Sequence, residues 1–161
     1  MSGKVTARGF TMVELMVTLA LMALLATAAF PLAELSARRD RELELRRSLR
    51  EIRRAIDSYK QASDEGLIEK AADASGYPPT LKALVDGVDN RKATISGVKI
   101  YFMRRIPRDP MCDCSDRPAE QTWKLRSYVS PPDQPREGLD VFDVYSSSDG
   151  EALNGTHYRD W

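Results

Sequence analysis

Few side chains in this sequence could support catalysis or metal binding. His157 is the single histidine, which excludes any site that needs two histidine ligands. Cys112 and Cys114 are the two cysteines, too few for a disulfide framework or a four-cysteine zinc site. The nine glycines match neither of the phosphate-binding patterns GxGxxG and GxxxxGK[ST]. We therefore predict that the chain is not an enzyme.

The charge balance points away from a second class of function. The chain has 24 basic and 24 acidic residues and a formal net charge of zero. A dedicated nucleic-acid-binding protein usually has a clear basic excess. We expect no nucleic acid among the partners of this protein.

An oxygen-rich turn near the C-terminal end is the remaining candidate for ligand chemistry. It reads Ser146-Ser147-Ser148-Asp149-Gly150, in a stretch, 133–161, that has seven acidic residues and two arginines. Calcium takes six to eight oxygen ligands from carboxylates and carbonyls. An ordinary polar turn without a metal explains the same residues, so the pattern alone leaves both interpretations open.

One further carboxylate, Glu14, stands at the start of an apolar segment. Residues 15–33 have no charge, and 19 helical residues at ~1.5 Å each nearly span a bilayer core of ~30 Å. A carboxylate in hydrocarbon costs at least ~2.5 kcal/mol and is usually paired. Alternatively, Glu14 lies at the membrane interface and stabilises the helix N-terminus. A membrane anchor is favoured over a cleaved signal peptide, because no clean small-residue cleavage site follows the segment.

The residues around Glu14 resemble a known processing motif. Gly9-Phe10-Thr11-Met12-Val13-Glu14-Leu15 is similar to the prepilin motif of type IV pilins and of type II secretion pseudopilins. The resemblance implies cleavage between Gly9 and Phe10 by a prepilin peptidase, followed by methylation of the Phe10 amine. The leader would be residues 1–9 and the mature chain 152 residues (161 minus 9).

The same resemblance assigns roles to two residues of the mature helix. It implies that Glu14 acts in subunit assembly, where its carboxylate is neutralised by the Phe10 amine of the next subunit. A pair within one helix is also open, since the two residues are four apart. Pro31 lacks an N–H and clashes with the preceding turn, so we expect a kink or local melting near Thr27.

Topology is the one point on which two rules disagree. Lysine and arginine are more frequent after the apolar segment than in the leader, and the positive-inside rule would leave the C-terminal part in the cytoplasm. The processing motif implies the opposite orientation. We expect a single-pass inner-membrane protein with its C-terminal domain in the periplasm.

The segment that follows predicts a charged amphipathic helix over residues 34–65. It has nine basic and eight acidic residues, and Gly66 is a suitable end. Apolar residues recur at helical spacing and predict a stripe that packs on the rest of the domain: Leu45, Leu49, Ile52, Ile56 and Tyr59. The arginine-rich outer face could contact neighbouring subunits.

The rest of the chain predicts a small α+β domain. Residues 80–85 favour a short helix, and alternation favours strands at 98–102, 123–129 and 139–145. Three strands against the helical stripe would form one antiparallel sheet. This half resembles the major pseudopilin of type II secretion systems in several short pieces: Tyr77-Pro78, Leu81 to Val85, Ile106-Pro107-Arg108-Asp109-Pro110, Asp143-Val144-Tyr145-Ser146, and Asp149-Gly150 to Trp161.

That resemblance implies a calcium site in the C-terminal turn. Asp149 would supply the first carboxylate, with backbone carbonyl oxygens around Ser146 and Ser148. The family's later aspartate falls on His157 here, and Asp160 could replace it if the register shifts. No cofactor is required; calcium is the one ion implied. Cys112 and Cys114 could form a tight disulfide, stay reduced, or pair between molecules.

Together these inferences predict four parts and one function. The parts are a leader (1–9), a transmembrane helix (10–33), an amphipathic helix (34–65) and a periplasmic globular domain (66–161), arranged as the pilin fold. The resemblance implies a homopolymer that works with minor pseudopilins, a prepilin peptidase and methyltransferase, and an inner-membrane assembly platform with a cytoplasmic ATPase. The filament would be a periplasmic pseudopilus for type II secretion; a type IV pilus subunit and a monomeric membrane-tethered binding module are the alternatives.

Overall fold

The computed structural model describes residues 9–95 and 97–161. The chain divides into two compact units, Met1–Arg39 and Asp40–Trp161. Of the expected leader, Gly9 is described, and residues 1–8 lie outside the described residues.

Helix α1 spans Met12–Asp64 and begins in the first unit. Thr11 caps it, because its Oγ1 accepts a hydrogen bond from the Glu14 N–H at 3.2 Å. Leu, Met and Ala, which have high helix propensity, fill most of the turns that follow. The helix is continuous through Pro31, so the structure shows no melting there, and the expected kink stays a prediction.

The apolar part of α1 has the length and composition of a membrane span. Its most apolar 18-residue window has a mean hydropathy of 2.2, and none of that window is buried. Large apolar side chains are exposed all around this part of the helix: Met12, Val13, Leu15, Met16, Val17, Leu19, Leu21, Met22, Leu24, Leu25, Phe30 and Leu32.

In the second unit, the predicted apolar stripe of α1 forms the centre of the core. All five stripe residues, from Leu45 to Tyr59, are buried. They pack against apolar residues from the rest of the unit: Ile68, Leu81, Leu84, Met103, Trp123, Val141, Val144, Ala152 and Tyr158. Each such side chain contributes about 1.5–3 kcal/mol when fully buried, so the stripe fixes the face of α1 on which the domain folds.

Helix α1 ends at a glycine in a left-handed conformation. Gly66 has φ +68°, and the Leu67 N–H donates to the Ala62 carbonyl at 2.9 Å. This pairing satisfies a carbonyl that the helix end would otherwise leave free. The predicted end of the helix near Gly66 is confirmed.

The short elements after α1 form two separate sheets. A one-turn helix, α2 (Ala83–Asp86), precedes β1 (Val88–Asp89) and β2 (Lys99–Ile100), which pair antiparallel with Val88 opposite Ile100. Strands β3 (Trp123–Arg126) and β4 (Asp143–Ser146) form the second antiparallel pair, with Trp123 opposite Ser146. Two 3₁₀ turns, Ala119–Thr122 and Tyr158–Asp160, complete the regular structure.

The expectation of one three-stranded sheet is wrong. Strand β2 ends at Ile100 because the N–H groups of Phe102 and Met103 donate instead to the Leu84 carbonyl, at 3.0 and 3.1 Å. It pairs with β1, which alternation did not predict.

The other two strands are also shorter than predicted. Strand β3 ends at Arg126 because Ser127 Oγ and the Tyr128 N–H both donate to Asp140 Oδ1, at 2.7 and 2.8 Å. The third predicted strand begins four residues late, and Leu139 is 97% exposed. The fold class is nevertheless confirmed: a long N-terminal helix and a small domain with short antiparallel sheets, consistent with the α+β pilin fold.

Candidate functional site

The predicted cleavage site lies at the open start of α1. A Cβ added at Gly9 would meet no atom within 4 Å, and Phe10 is 78% exposed. Neither residue belongs to a helix or strand. An accessible peptide next to an apolar helix is what a membrane-bound peptidase would require.

Glu14 lies in the first turn of α1 with an exposed side chain. The Glu14 backbone N–H donates its hydrogen bond to the Thr11 side chain. The Glu14 carboxylate is therefore not needed to cap the start of the helix. Among residues 9–95 and 97–161, no group forms a hydrogen bond or ion pair with that carboxylate. The structure therefore leaves the charge of Glu14 available for a partner outside the single chain.

Within residues 9–95 and 97–161, no segment buries the apolar helix around Glu14. A helix that is apolar on every side is stable when lipid or other apolar helices surround it. In water the exposed side chains would favour association, since a contiguous apolar surface of this size is rare on a soluble monomer.

The C-terminal turn is organised by a residue that the sequence analysis did not assign to it. Asp109 is 3% exposed. Its Oδ2 accepts hydrogen bonds from Ser146 Oγ at 2.7 Å and from the Ser147 N–H at 2.9 Å, and its Oδ1 accepts one from the Met111 N–H at 2.8 Å. Since Ser146 Oγ also accepts from the Ser148 N–H at 3.1 Å, the turn is held by a protein carboxylate.

The predicted calcium ligands are only partly brought together. Asp149 and Asp160 are exposed and line one groove of about 640 Å³, whose lining includes neither Ser146 nor Ser148. The same groove is lined by Arg53, Lys124, Arg126 and Arg159.

Calcium binding at this turn stays a prediction. Across the described ranges, no group of three or more His, Cys, Asp or Glu side chains is placed to hold a metal. The groove is lined by four acidic side chains, Asp133, Asp143, Asp149 and Asp160, as well as by the four basic ones. Calcium also takes backbone carbonyl oxygens, and the turn would have to supply them.

Two charged residues of α1 hold the C-terminal segment, and sequence patterns did not indicate either one. Glu42 Oε1 accepts hydrogen bonds from the Leu153 N–H at 2.8 Å and from Tyr158 Oη at 3.0 Å. Arg53 Nε donates to Asp143 Oδ1 at 2.7 Å, and its Nη2 donates to the carbonyl of Trp161 at 2.6 Å. Their partners are more than 85 residues away along the chain, so only the folded structure identifies them.

The cysteines form one of the three arrangements left open by the sequence. Cys112 and Cys114 are joined by a disulfide. Arg108 reinforces the same loop, donating from Nη2 to the Cys114 carbonyl and from Nη1 to the Arg117 carbonyl, both at 2.6 Å. The loop is therefore held in one conformation at the domain surface.

Comparison with known proteins bears on the N-terminal segment. Residues 5–30 match the family model of the prokaryotic N-terminal methylation motif. Comparisons with curated proteins and with solved structures gave no match. The motif supports a type IV pilin-like protein, and a prepilin-type motif implies processing by a prepilin peptidase and polymerisation into filaments.

Proposed function

We propose that this chain is the structural subunit of a periplasmic pseudopilus that drives protein export through a type II secretion system. The observation that carries the proposal is the apolar first part of α1, which lies largely within the matched methylation motif and which no described residue buries. Before assembly, lipid surrounds this helix and the protein waits in the inner membrane. In the filament, the helices of neighbouring subunits take the place of lipid.

Glu14 gives the assembly its register. Once the leader is removed, the Phe10 amine is a cation at the end of an apolar surface. A carboxylate buried among apolar helices is costly unless it is paired, so the subunit position that brings Glu14 to the next Phe10 amine is favoured over others. That no described residue pairs with the Glu14 carboxylate supports this role.

The remaining partners follow from the same proposal. A prepilin peptidase and methyltransferase processes the Gly9–Phe10 bond, and minor pseudopilins join the filament. The chain has neither of the two nucleotide-binding glycine patterns, so a separate cytoplasmic ATPase, acting through an assembly platform, would supply the energy.

Mass spectrometry of the mature N-terminus tests the proposal. We expect a chain that begins at Phe10 and carries one methyl group on the Phe10 amine. A mature chain that begins after Ala33 would indicate a secreted protein and would overturn the proposal.

Two alternatives give different phenotypes. A deletion strain that fails to export proteins but keeps surface pili supports the pseudopilus; the reverse result supports a type IV pilus subunit in adhesion, motility or DNA uptake. A monomeric membrane-tethered binding module predicts that the native chain never forms multimers in the membrane.

A further inference from the structure

A strongly basic groove lies beside α1 in the second unit. Five exposed arginines and a single acid, Glu51, line a space of about 880 Å³ beside α1. We call it the arginine groove, after Arg47, Arg50, Arg54, Arg104 and Arg105. None of the five guanidinium groups forms an ion pair or hydrogen bond with a described residue. Arginine pairs with carboxylates through two parallel hydrogen bonds, so five free guanidinium groups indicate an anionic partner.

The groove is an exception on an acidic unit. Residues 40–161 contain 20 basic and 22 acidic residues. Without the five arginines and Glu51, the same unit has 15 basic and 21 acidic residues. A second copy of this chain therefore presents the charge that the groove lacks.

One acidic element of the unit is suited to enter the groove. We call it the acidic loop: residues 113–120, with Asp113, Asp116 and Glu120 and one basic residue, Arg117. Asp113 and Asp116 are exposed, Glu120 is half-buried, and no described residue forms an ion pair with any of the three. The disulfide at its start and the two hydrogen bonds from Arg108 hold the loop in place. A loop that is already ordered loses little conformational entropy on binding.

We propose that the arginine groove of one copy binds the acidic loop of a second copy, with carboxylate–guanidinium salt bridges between them. The proposal rests on the proposed function for its expectation that copies meet in a filament. Because the arginine groove and the acidic loop are different surfaces, the contact between two copies is head-to-tail. A head-to-tail contact that does not close into a ring produces an open helical polymer. Exposed ion pairs are individually weak, so the contact would set orientation while the apolar helices supply most of the affinity.

A photoreactive residue in the groove identifies its occupant. In the full chain in its native membrane, Ser58→p-benzoylphenylalanine places the probe on the groove lining, where Ser58 is exposed. We expect a covalent dimer in which the probe is joined to a peptide that contains residues 113–120. The matched control, Thr94→p-benzoylphenylalanine, lies on an exposed surface outside the groove and should not give this product. Joining to lipid, nucleic acid, another protein or a different part of a second copy would overturn the proposal, as would the absence of any product.

Charge exchange tests the salt bridges. Arg104→Glu with Arg105→Glu should reduce the cross-linked dimer about tenfold, since several attractive pairs become repulsive. Adding Asp113→Arg and Asp116→Arg in the same chain should restore it. Arg91→Glu with Lys99→Glu changes the charge equally at exposed positions outside the groove and should have no effect. Failure of the exchanged chain to recover, while its thermal unfolding remains native-like, would overturn the proposal.

The result separates this inference from the proposed function. A filament without the expected product contradicts the docking contact alone. The expected product without any filament supports the contact and contradicts the pseudopilus.

Raising the salt concentration from about 0.1 M to about 1 M shortens the screening length from ~10 to ~3 Å and should lower the yield of the product.

Discussion

At the scale of single residues, Glu14 and Asp109 are carboxylates in opposite surroundings. Asp109 is buried and accepts three hydrogen bonds from the C-terminal turn and its own loop. Glu14 is exposed, and no described residue pairs with its carboxylate. A buried carboxylate with satisfied oxygens stabilises one fold, whereas an unpaired one beside an apolar surface is available to a partner.

Glu14→Gln removes the charge of Glu14 but keeps a similar side chain. We expect the variant to be cleaved normally and to lose assembly, because the amide cannot neutralise the Phe10 amine of the next subunit. Cross-linking of multimers in the membrane measures the effect. Glu34→Ala, an exposed acid after the apolar segment, should assemble like the native chain. Normal multimers of Glu14→Gln would contradict a charge-dependent role.

Asp109→Ala removes the acceptor from three hydrogen bonds. The Ser146 hydroxyl and two backbone N–H groups would be left without this partner, and we expect a loss of about 3 kcal/mol in the free energy of unfolding. Urea unfolding of the full chain in detergent measures it. Asp89→Ala, at an exposed position of β1, should change stability by less than about 0.5 kcal/mol.

Asp140 makes stability depend on pH. Burial raises the pKa of Asp140, but hydrogen bonds from Ser127, Ser75 and the Tyr128 N–H outweigh it, so the pKa lies below its usual value. A carboxyl with a lowered pKa in the folded state stabilises the fold above its unfolded pKa of ~3.9, and this contribution is lost as the pH falls through the folded pKa.

We therefore expect Asp140→Asn to be less stable than the native chain at pH 7 and to lose less stability between about pH 4 and pH 2. Urea midpoints across that range measure both effects. Asp133→Asn, at an exposed position, is the control. Parallel pH curves for Asp140→Asn and the native chain would contradict the assignment.

At the scale of elements, α1 combines two surfaces along one helix. Its first part is apolar and exposed on every side, and its later part buries a single stripe. Thr11 at the start and Gly66 at the end satisfy backbone groups that a helix leaves free. The two ends of α1 thus depend on the residue types at Thr11 and Gly66. The contacts of its apolar part and of its stripe depend on which side chains are buried.

Gly66→Ala tests the end of α1. A Cβ at Gly66 would meet no atom within 4 Å, so the cost is the left-handed backbone alone, about 1 kcal/mol. Gly66→Asn should cost less, because asparagine tolerates this conformation better. Gly87→Ala should cost more than either, since its Cβ would lie 2.7 Å from the Tyr101 ring. Equal midpoints in urea for Gly66→Ala and the native chain would contradict this account.

At the scale of the whole molecule, the second unit closes through contacts between distant parts of the chain. Glu42 and Arg53 of α1 hold the segment around residues 143–161, and the Arg46 guanidinium lies 4.2 Å from the centre of the Trp161 ring. The chain on either side of the C-terminal turn is in this way tied to the helix by protein groups.

Calcium removal tests whether the turn needs an ion. We expect EDTA to leave the Tm of the full chain unchanged, because basic side chains offset the acids around Asp149 and Asp160. A fall in Tm that calcium reverses, and that Asp149→Ala abolishes, would instead support the calcium site implied by the resemblance.

The sequence by itself determined the apolar helix, the buried stripe, the helix end at Gly66 and the fold class. These features depend on local spacing and on residue types that favour one backbone conformation. The motif at residues 9–15 was also readable, since it is a contiguous pattern. The strand limits were predicted less accurately. A short alternating run does not show which of its backbone groups will form hydrogen bonds with other segments instead of with a neighbouring strand.

Only the tertiary structure decided the sheet pairing, the role of Asp109 and the grouping of Asp149 with Asp160 in one groove. It also brought Arg104 and Arg105 beside Arg47, Arg50 and Arg54. Such groupings join residues far apart in the chain, and no local pattern records them. Their physical cause is the packing of the stripe, which fixes the face of α1 on which every later segment must lie.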